Sequence, residues 1–335
     1  MDTTISKNKA QATALGALIG DALAMPAHWY YNTKALREQF GRITTYMNPP
    51  ENHPDSILWR SEYPLTDQEF DILGDQRRFW GKNHVHYHQF LQAGENTLTG
   101  KLLGKLIEQV TERKDYDPEC WIQTYLQILR NPGEHRDTYV EECHRGFFMN
   151  LARGKNVKSC AIQEKHIGGM VPVLPLYAVL RHEGQDHQSA SQRVLDHVSL
   201  THGGPAIEKA GQTLLTIAEE LWEGADLADT LTNHFQKQDL AYLQGPLVRL
   251  SKLSPENVFG RHFSTACYLD HALPGVAYLA LRYADNPETG LIENTMAGGD
   301  NCGRGAVLGA LFGLAQGLQA FPTRWVDGLL WKSPW

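Results

Sequence analysis

The stretch Met296-Ala-Gly-Gly-Asp300-Asn-Cys302-Gly303-Arg304 leads into Gly305-Ala-Val-Leu-Gly309-Ala-Leu-Phe-Gly313-Leu-Ala-Gln-Gly317, where glycine returns at every fourth position. That spacing stacks the glycines on one face of a helix. A glycine inside a helix costs roughly 1 kcal/mol relative to alanine, so the pattern needs a compensating contact. A bare backbone stripe offers one, because a second helix can approach it closely and gain dispersion contacts. Small residues recur at the same spacing in Gly16-xxx-Gly20-xxx-Ala24 and Gly100-xxx-Gly104. Close packing through small-residue faces is expected, with the Asp300–Cys302 turn held rigidly at the start of its helix.

Outward from this stretch, helical periodicity dominates. Residues 8–24 place Leu15, Leu18, Ile19, Ala22 and Leu23 on one side, and 97–111 place Leu98, Leu102, Leu103, Leu106, Ile107 and Val110 at spacings of three and four. Further helical patterns cover 118–130, 137–152, 187–199, 205–222, 226–237, 239–251, 265–284 and 303–320, and alternating strand patterns are scarce. The expected fold is an all-α, many-helix bundle forming one domain over 1–335. Residues 41–95 depart from it, with Pro49, Pro50, Pro54 and Pro64 among aromatics and histidines. An insertion of this length reads as a lid or pocket wall. The C-terminal Trp325, Trp331 and Trp335 read as a tail folded back onto its own core.

Composition narrows the function. Of 335 residues, 42% are hydrophobic and 21% charged, as in a globular protein, and the net charge of −7 argues against non-specific nucleic-acid binding. The five cysteines form no CxxC pair, which suits a reducing compartment. The first residues lack the apolar run of a signal peptide, and the longest apolar stretch, within 305–315, is too short to span a bilayer. The expectation is a cytoplasmic protein, monomer or small homo-oligomer, with no membrane or nucleic-acid partner.

Polar groups gather beside each small-residue face. Asp21 sits among Gly20, Ala22 and Ala24, where an unpaired buried charge is costly. Gly94-Glu95-Asn96-Thr97 opens the second helix, with Asn96 or Thr97 as N-cap. Gly299, Asp300, Asn301, Cys302 and Gly303 open the third. If these helices converge, two N-termini and a mid-helix carboxylate meet, a setting that favours an anionic, phosphate-bearing ligand. His84-Val-His86-Tyr-His88 puts its rings on one face of an extended segment shortly before Glu95, and His28 follows Asp21. Imidazoles and a thiolate suit zinc better than magnesium. His202, in Thr201-His202-Gly203-Gly204-Pro205, reads equally as a polar contact or as part of a helix start.

These pieces occur in family order. Gly16-Ala-Leu-Ile-Gly20-Asp21-Ala-Leu-Ala-Met-Pro26, Gly94-Glu-Asn-Thr97, Leu200-Thr-His-Gly203 and Gly298-Gly-Asp300-Asn-Cys302 resemble the ADP-ribosylglycohydrolase family, especially its J-type crystallin branch, from about residue 10 to 320. The resemblance implies an all-α orthogonal bundle, hydrolysis of the glycosidic bond joining ADP-ribose to a protein side chain or small acceptor, and a two-magnesium centre at the converging helices. Active members carry Thr-Asp-Asp-Thr where this chain has Gly94-Glu95-Asn96-Thr97, and Gly-Gly-Asp-Thr-Asp-Thr where it has Gly298–Gly303. A glutamate that follows the family's first helix falls at His28. Asp300 is the one unchanged ligand and Glu95 a conservative stand-in; Asn96 loses a charge, and Cys302 and Gly303 lose the hard oxygen. Two magnesium ions need near-octahedral oxygen shells, and too few carboxylates remain for them.

The expected activity is therefore a hydrolase on an ADP-ribosyl or related N- or O-glycosidic bond with an altered metal site. At most one divalent ion, magnesium or zinc, is held by Glu95, Asn96, Asp300 and Cys302. Glu95, Asp300, Cys302 and His28 carry the chemistry, with metal-activated water or a Cys302 thiolate as nucleophile. Asp21, Asn96, His86, His88, His202, Gly299, Asn301 and Gly303 line the substrate site. The alternative is a catalytically inactive ADP-ribose- or nucleotide-binding or crystallin-like structural protein.

Overall fold

The structure is a computed structural model describing residues 2–237 and 247–335. The first helix, Thr3–Ala24, is capped by the Asp2 side chain and is buried from Ala12 to its end. It runs antiparallel to the Asn301–Gln316 helix, and the two backbones touch. A Cβ built on Gly16 would lie 2.2 Å from the Gly309 carbonyl oxygen, one on Gly20 2.0 Å from that of Gly305, and one on Gly313 2.1 Å from that of Ala12. The glycine stripe is thus a helix–helix seam. Its fourth member has another role: Gly317, at φ 78°, terminates the helix and carries no cost inside it.

The third small-residue pair makes no such seam. In the Leu98–Arg113 helix, the space a Cβ would take at Gly100 belongs to the Asp21 carboxylate, 2.4 Å away. At Gly104 it belongs to the Trp331 ring, 2.8 Å away. Trp325 is fully buried, and the Trp331 indole N–H donates to Glu108, so the tail does fold back on the chain.

Helices Pro118–Arg130, His187–Ser199, Pro205–Trp222, Leu227–Lys237 and Leu269–Arg282 follow the sequence patterns closely. The pattern at 239–251 lies largely outside the described residues; within it Leu247–Leu250 is helical. The short helices Thr33–Phe40, Pro255–Val258 and Thr323–Gly328 escape the pattern, and so do two longer ones, Val173–His182 and Pro287–Met296. The two longer ones are buried on more than one side, so neither shows an amphipathic stripe. The helix expected over 137–152 begins only at Glu142, and 137–141 is irregular. Among the described residues, strand pairing is limited to a parallel ladder, Ile162–Gln163 with His202–Gly203, and three isolated bridges. The chain is all-α.

Residues 41–95 are anchored in the body of the protein, with Ile43, Tyr63, Ile72, Tyr87 and Leu91 buried. They bring His53, His86 and His88 beneath the surface. No helix among the described residues is long and apolar enough to cross a membrane.

Gly309→Ala tests the seam. At an ordinary helical glycine this change stabilises, by roughly 0.5–1 kcal/mol. Here the added Cβ would fall 1.9 Å from the Gly16 carbonyl oxygen, so urea unfolding should show a loss of roughly 1–3 kcal/mol.

Candidate active site

The seam brings the end of the first helix beside the start of the Asn301–Gln316 helix and so sets Asp21 near Cys302. Asp21 is buried, and every contact it makes is a donor: Thr97 Oγ1 at 2.7 Å, Thr97 N at 2.9 Å and Asn96 Nδ2 at 2.9 Å. Burial raises its pKa, and these hydrogen bonds oppose the rise. Asn96 spends its amide on Asp21 and on the Leu18 carbonyl. Both residues thereby fasten two helices together.

Asp300 caps the helix that follows it, with Oδ1 accepting from Gly303 N at 3.1 Å. The same oxygen meets His28 Nε2 at 3.2 Å. His28 Nδ1 lies 2.7 Å from His88 Nε2, and His88 Nδ1 makes a very short contact with Asp137 Oδ1. All four side chains are buried. Asp300, His28, His88 and Asp137 thus form one chain of three hydrogen bonds. Each bond needs a proton, so with both carboxylates ionised and both rings neutral the chain is one proton short. Burial pushes Asp137 up to about 7 and His88 down to about 4, which puts the third proton on Asp137 rather than on the ring beside it.

A cleft above this chain is lined by Asp300, His28, Asp21, Cys302 and, from the irregular 137–141 segment, Glu141. It has room for about one water molecule. Asp300 and Glu141 are each anchored by one oxygen. Glu141 Oε1 accepts from Thr99 Oγ1 at 2.7 Å; its Oε2, like Asp300 Oδ2, has no hydrogen-bond partner among the described residues. Their acidities diverge. Burial raises Asp300, but the His28 hydrogen bond, with Arg304 and the Gly303 N–H, outweighs it and holds the carboxyl below its ordinary value. Burial and then the Asp300 charge push Glu141 up.

The other expected site residues are placed as follows. Glu95 is turned outward, accepting from Gln92 N and pairing with Arg136. It does not join Asp300, because that ion pair and the turn satisfy its carboxylate. Cys302 is buried with its thiol against the Asp21 carbonyl oxygen at 3.6 Å. Burial, then the charges of Asp21, Asp300, Asp137 and Glu141, push it well above the ordinary thiol value, so the expected lowering at the helix N-terminus is overridden. His86 is closed off by the Pro26 carbonyl and the His88 N–H. Asn301 ties the Ala27 and Thr295 carbonyls. Gly299, at φ 63°, packs on Thr265 with no space for a Cβ. Gly303 closes on Ile167. His202 lies outside this cleft, in a neighbouring cavity.

This donor set is a poor match to a pair of hard dications. Asp300 alone offers a free carboxylate oxygen from the expected ligand set; Glu95 is engaged elsewhere, Asn96 presents its amide nitrogen inward, and Cys302 is a protonated thiol. No group of three or more histidine, cysteine or carboxylate residues among the described ones has metal-holding geometry.

The family's sequence profile matches residues 2–333. The chain belongs to the ADP-ribosylglycohydrolase family. No curated protein matches it. Among solved structures it is similar to one titled "ADP-ribosylglycohydrolase-related protein complex", at 19% identity and a TM-score of 0.57, over 97% of this chain and 93% of that one. At that identity the likeness concerns the fold alone. Within the family frame, the residues missed from sequence are Asp137 and Glu141, which a helix drawn from 137 would have buried in a periodic pattern.

The buried histidines imply a pH dependence. Burial holds His197 at about 3 when folded, against an ordinary 6.5. Its stabilising contribution is present above pH 6.5 and lost as pH falls toward 3, because only the unfolded chain takes up the proton in that window. His197→Gln should make stability fall less steeply below pH 6, by about 1.4 kcal/mol per pH unit, in urea titrations at pH 7, 6 and 5.

Proposed function

We infer that this protein hydrolyses an N- or O-glycosidic bond of an ADP-ribosyl or related substrate, using a carboxyl pair instead of the family's two-magnesium centre. One observation carries the reading: Asp300 and Glu141 line the same water-sized cleft, each with a free oxygen, and their environments drive their pKa values apart. Pairs separated in this way mark the acid and the base of glycoside hydrolysis.

In this reading the cleft water attacks the anomeric carbon and gives its proton to Asp300. His28, fixed by His88 and Asp137, stabilises the carboxylate and sets its orientation. Glu141, protonated, gives its proton to the atom leaving the sugar as the glycosidic bond breaks. One proton enters at Asp300 and one departs from Glu141, so the site resets by exchange with solvent. Cys302 takes no part. The free cysteines fit a cytoplasmic setting. A second reading, a crystallin-like or nucleotide-binding protein without turnover, is favoured by the smallness of the cleft.

Two sets of measurements decide between them. With an ADP-ribosyl substrate bearing a chromophoric leaving group, Asp300→Asn and Glu141→Gln should each cut kcat by about a hundred- to ten-thousand-fold, and Cys302→Ala should stay near wild type. Activity should survive chelator, and elemental analysis should find no stoichiometric metal. Copurifying magnesium or zinc together with loss of activity in chelator would sink the carboxyl-pair mechanism. Binding of ADP-ribose with no turnover of any glycoside would establish the second reading.

A further inference from the structure

Behind the cleft lies a second cavity that shares with it the wall formed by Thr99, Glu141, Gly168 and Val171. It holds about four water molecules, the space of one six-membered ring with a small substituent. Leucines of the Leu98–Arg113 helix and Trp121 make it largely apolar, and no lysine or arginine lines it. Three imidazoles interrupt the apolar surface: His144, His197 and His202.

Each of these rings is engaged on one side only. Tyr125 OH lies 2.9 Å from His144 Nδ1, Tyr116 OH 3.1 Å from His197 Nδ1, and Thr201 Oγ1 2.9 Å from His202 Nδ1. Neither tyrosine hydroxyl has another partner among the described residues, and nor does that of Thr201. Each hydroxyl proton is therefore best placed toward Nδ1, which leaves the ring proton on Nε2. No Nε2 of the three has a partner among the described residues. Burial keeps all three rings uncharged, at about 3, 3 and 4. The cavity thus offers N–H donors in an apolar enclosure, with no fixed charge of its own beyond the carboxyl at its mouth.

We propose that this cavity is the leaving-group pocket of the same active site, and that it takes an uncharged planar ring bearing hydrogen-bond acceptors. The proposal rests on the reading of Asp300 and Glu141 as the hydrolytic pair. Glu141 stands where the two cavities meet, so a group seated behind it has its bonding atom beside the acid. A guanidinium or ammonium brings only donors and finds donors facing it. A carboxylate enters an apolar space without a cation and loses its hydration. Both are rejected by chemistry. A neutral heterocycle with a ring nitrogen or carbonyl oxygen satisfies the imidazoles and buries its faces against leucine and tryptophan.

The test is calorimetric titration of the full-length protein with pyridine-3-carboxamide, pyridine-3-carboxylate and methylguanidinium. The carboxamide should bind at least about tenfold more tightly than either charged probe. His144→Phe and His197→Phe, each confirmed as folded by its melting curve, should weaken it by about the same factor. Asp300→Asn should abolish hydrolysis and leave carboxamide binding intact. Equal binding of the three probes, or carboxamide binding indifferent to both phenylalanine variants, overturns the pocket while leaving the hydrolytic pair untouched. If instead the carboxamide binds as expected but Asp300→Asn and Glu141→Gln leave hydrolysis unchanged, the leaving-group role falls because the catalytic reading has fallen.

Discussion

The backbone contact between Thr3–Ala24 and Asn301–Gln316 sets the position of everything chemical in this protein. Where Gly20 meets Gly305 and Gly16 meets Gly309, the helix axes come nearer than any side chain would permit. Near the end of the seam, Asp21 of one helix and Asp300, Asn301 and Cys302 of the other arrive in one place with little freedom to move. Asn301, reaching back to the Ala27 and Thr295 carbonyls, and Arg304, whose guanidinium holds the Thr265 and Gly298 carbonyls, keep the turn fixed. The glycines lower helix propensity, and the return is a rigid floor for a polar site inside an apolar core.

That floor carries three buried carboxyl groups and a half-buried fourth, Glu141, and each meets the cost of desolvation differently. Asp21 is surrounded by donors. Asp300 has an imidazole partner and a helix N-terminus. Asp137 shares a proton with His88, and Glu141, pushed up by burial and the Asp300 charge, accepts from Thr99. Asp300 Oδ2 and Glu141 Oε2, which have no hydrogen-bond partner among the described residues, are left for work. A site in which most of the polar capacity is consumed internally leaves its function to the few atoms that are not.

The fold was legible in the sequence because its determinants are local and periodic. The glycine period, the leucine spacing at 98–110 and the caps at Thr97 and Asp300 all act within a few residues. Asp21, Asp300 and His28 could be grouped because the small-residue faces predict which helices touch. What stayed hidden is non-periodic or long-range. Val173–His182 is apolar on all sides. Glu95 belongs to Arg136, a partner no spacing reveals. Asp137 and Glu141 lie in an irregular segment that a helical pattern absorbed, although the acidic residues just before Glu142 could have served as a helix-start signal. The thiol at Cys302 was misjudged for a related reason: position at a helix N-terminus lowers a thiol pKa, but only where burial among carboxylates does not exceed it.

The altered motif residues are best understood together. Where the resemblance places hard oxygen ligands and a pair of dications, this chain has Asn96, Cys302 and Gly303, and it has His28 in place of a glutamate. Losing the metal ligands alone would leave Asp300 as a buried anion with only Arg304 and the Gly303 N–H to offset it. The replacement at 28 supplies an imidazole at 3.2 Å from that very oxygen, and His88 and Asp137 extend the arrangement to a chain whose proton count is internally balanced. The substitutions therefore exchange one way of neutralising a carboxylate for another. A site decaying by chance would lose its ligands and keep an unpaired charge, or lose the charge as well. Here the carboxylate is retained, partnered and given a free oxygen over a water-sized space, which is the condition under which a carboxylate can act as a base.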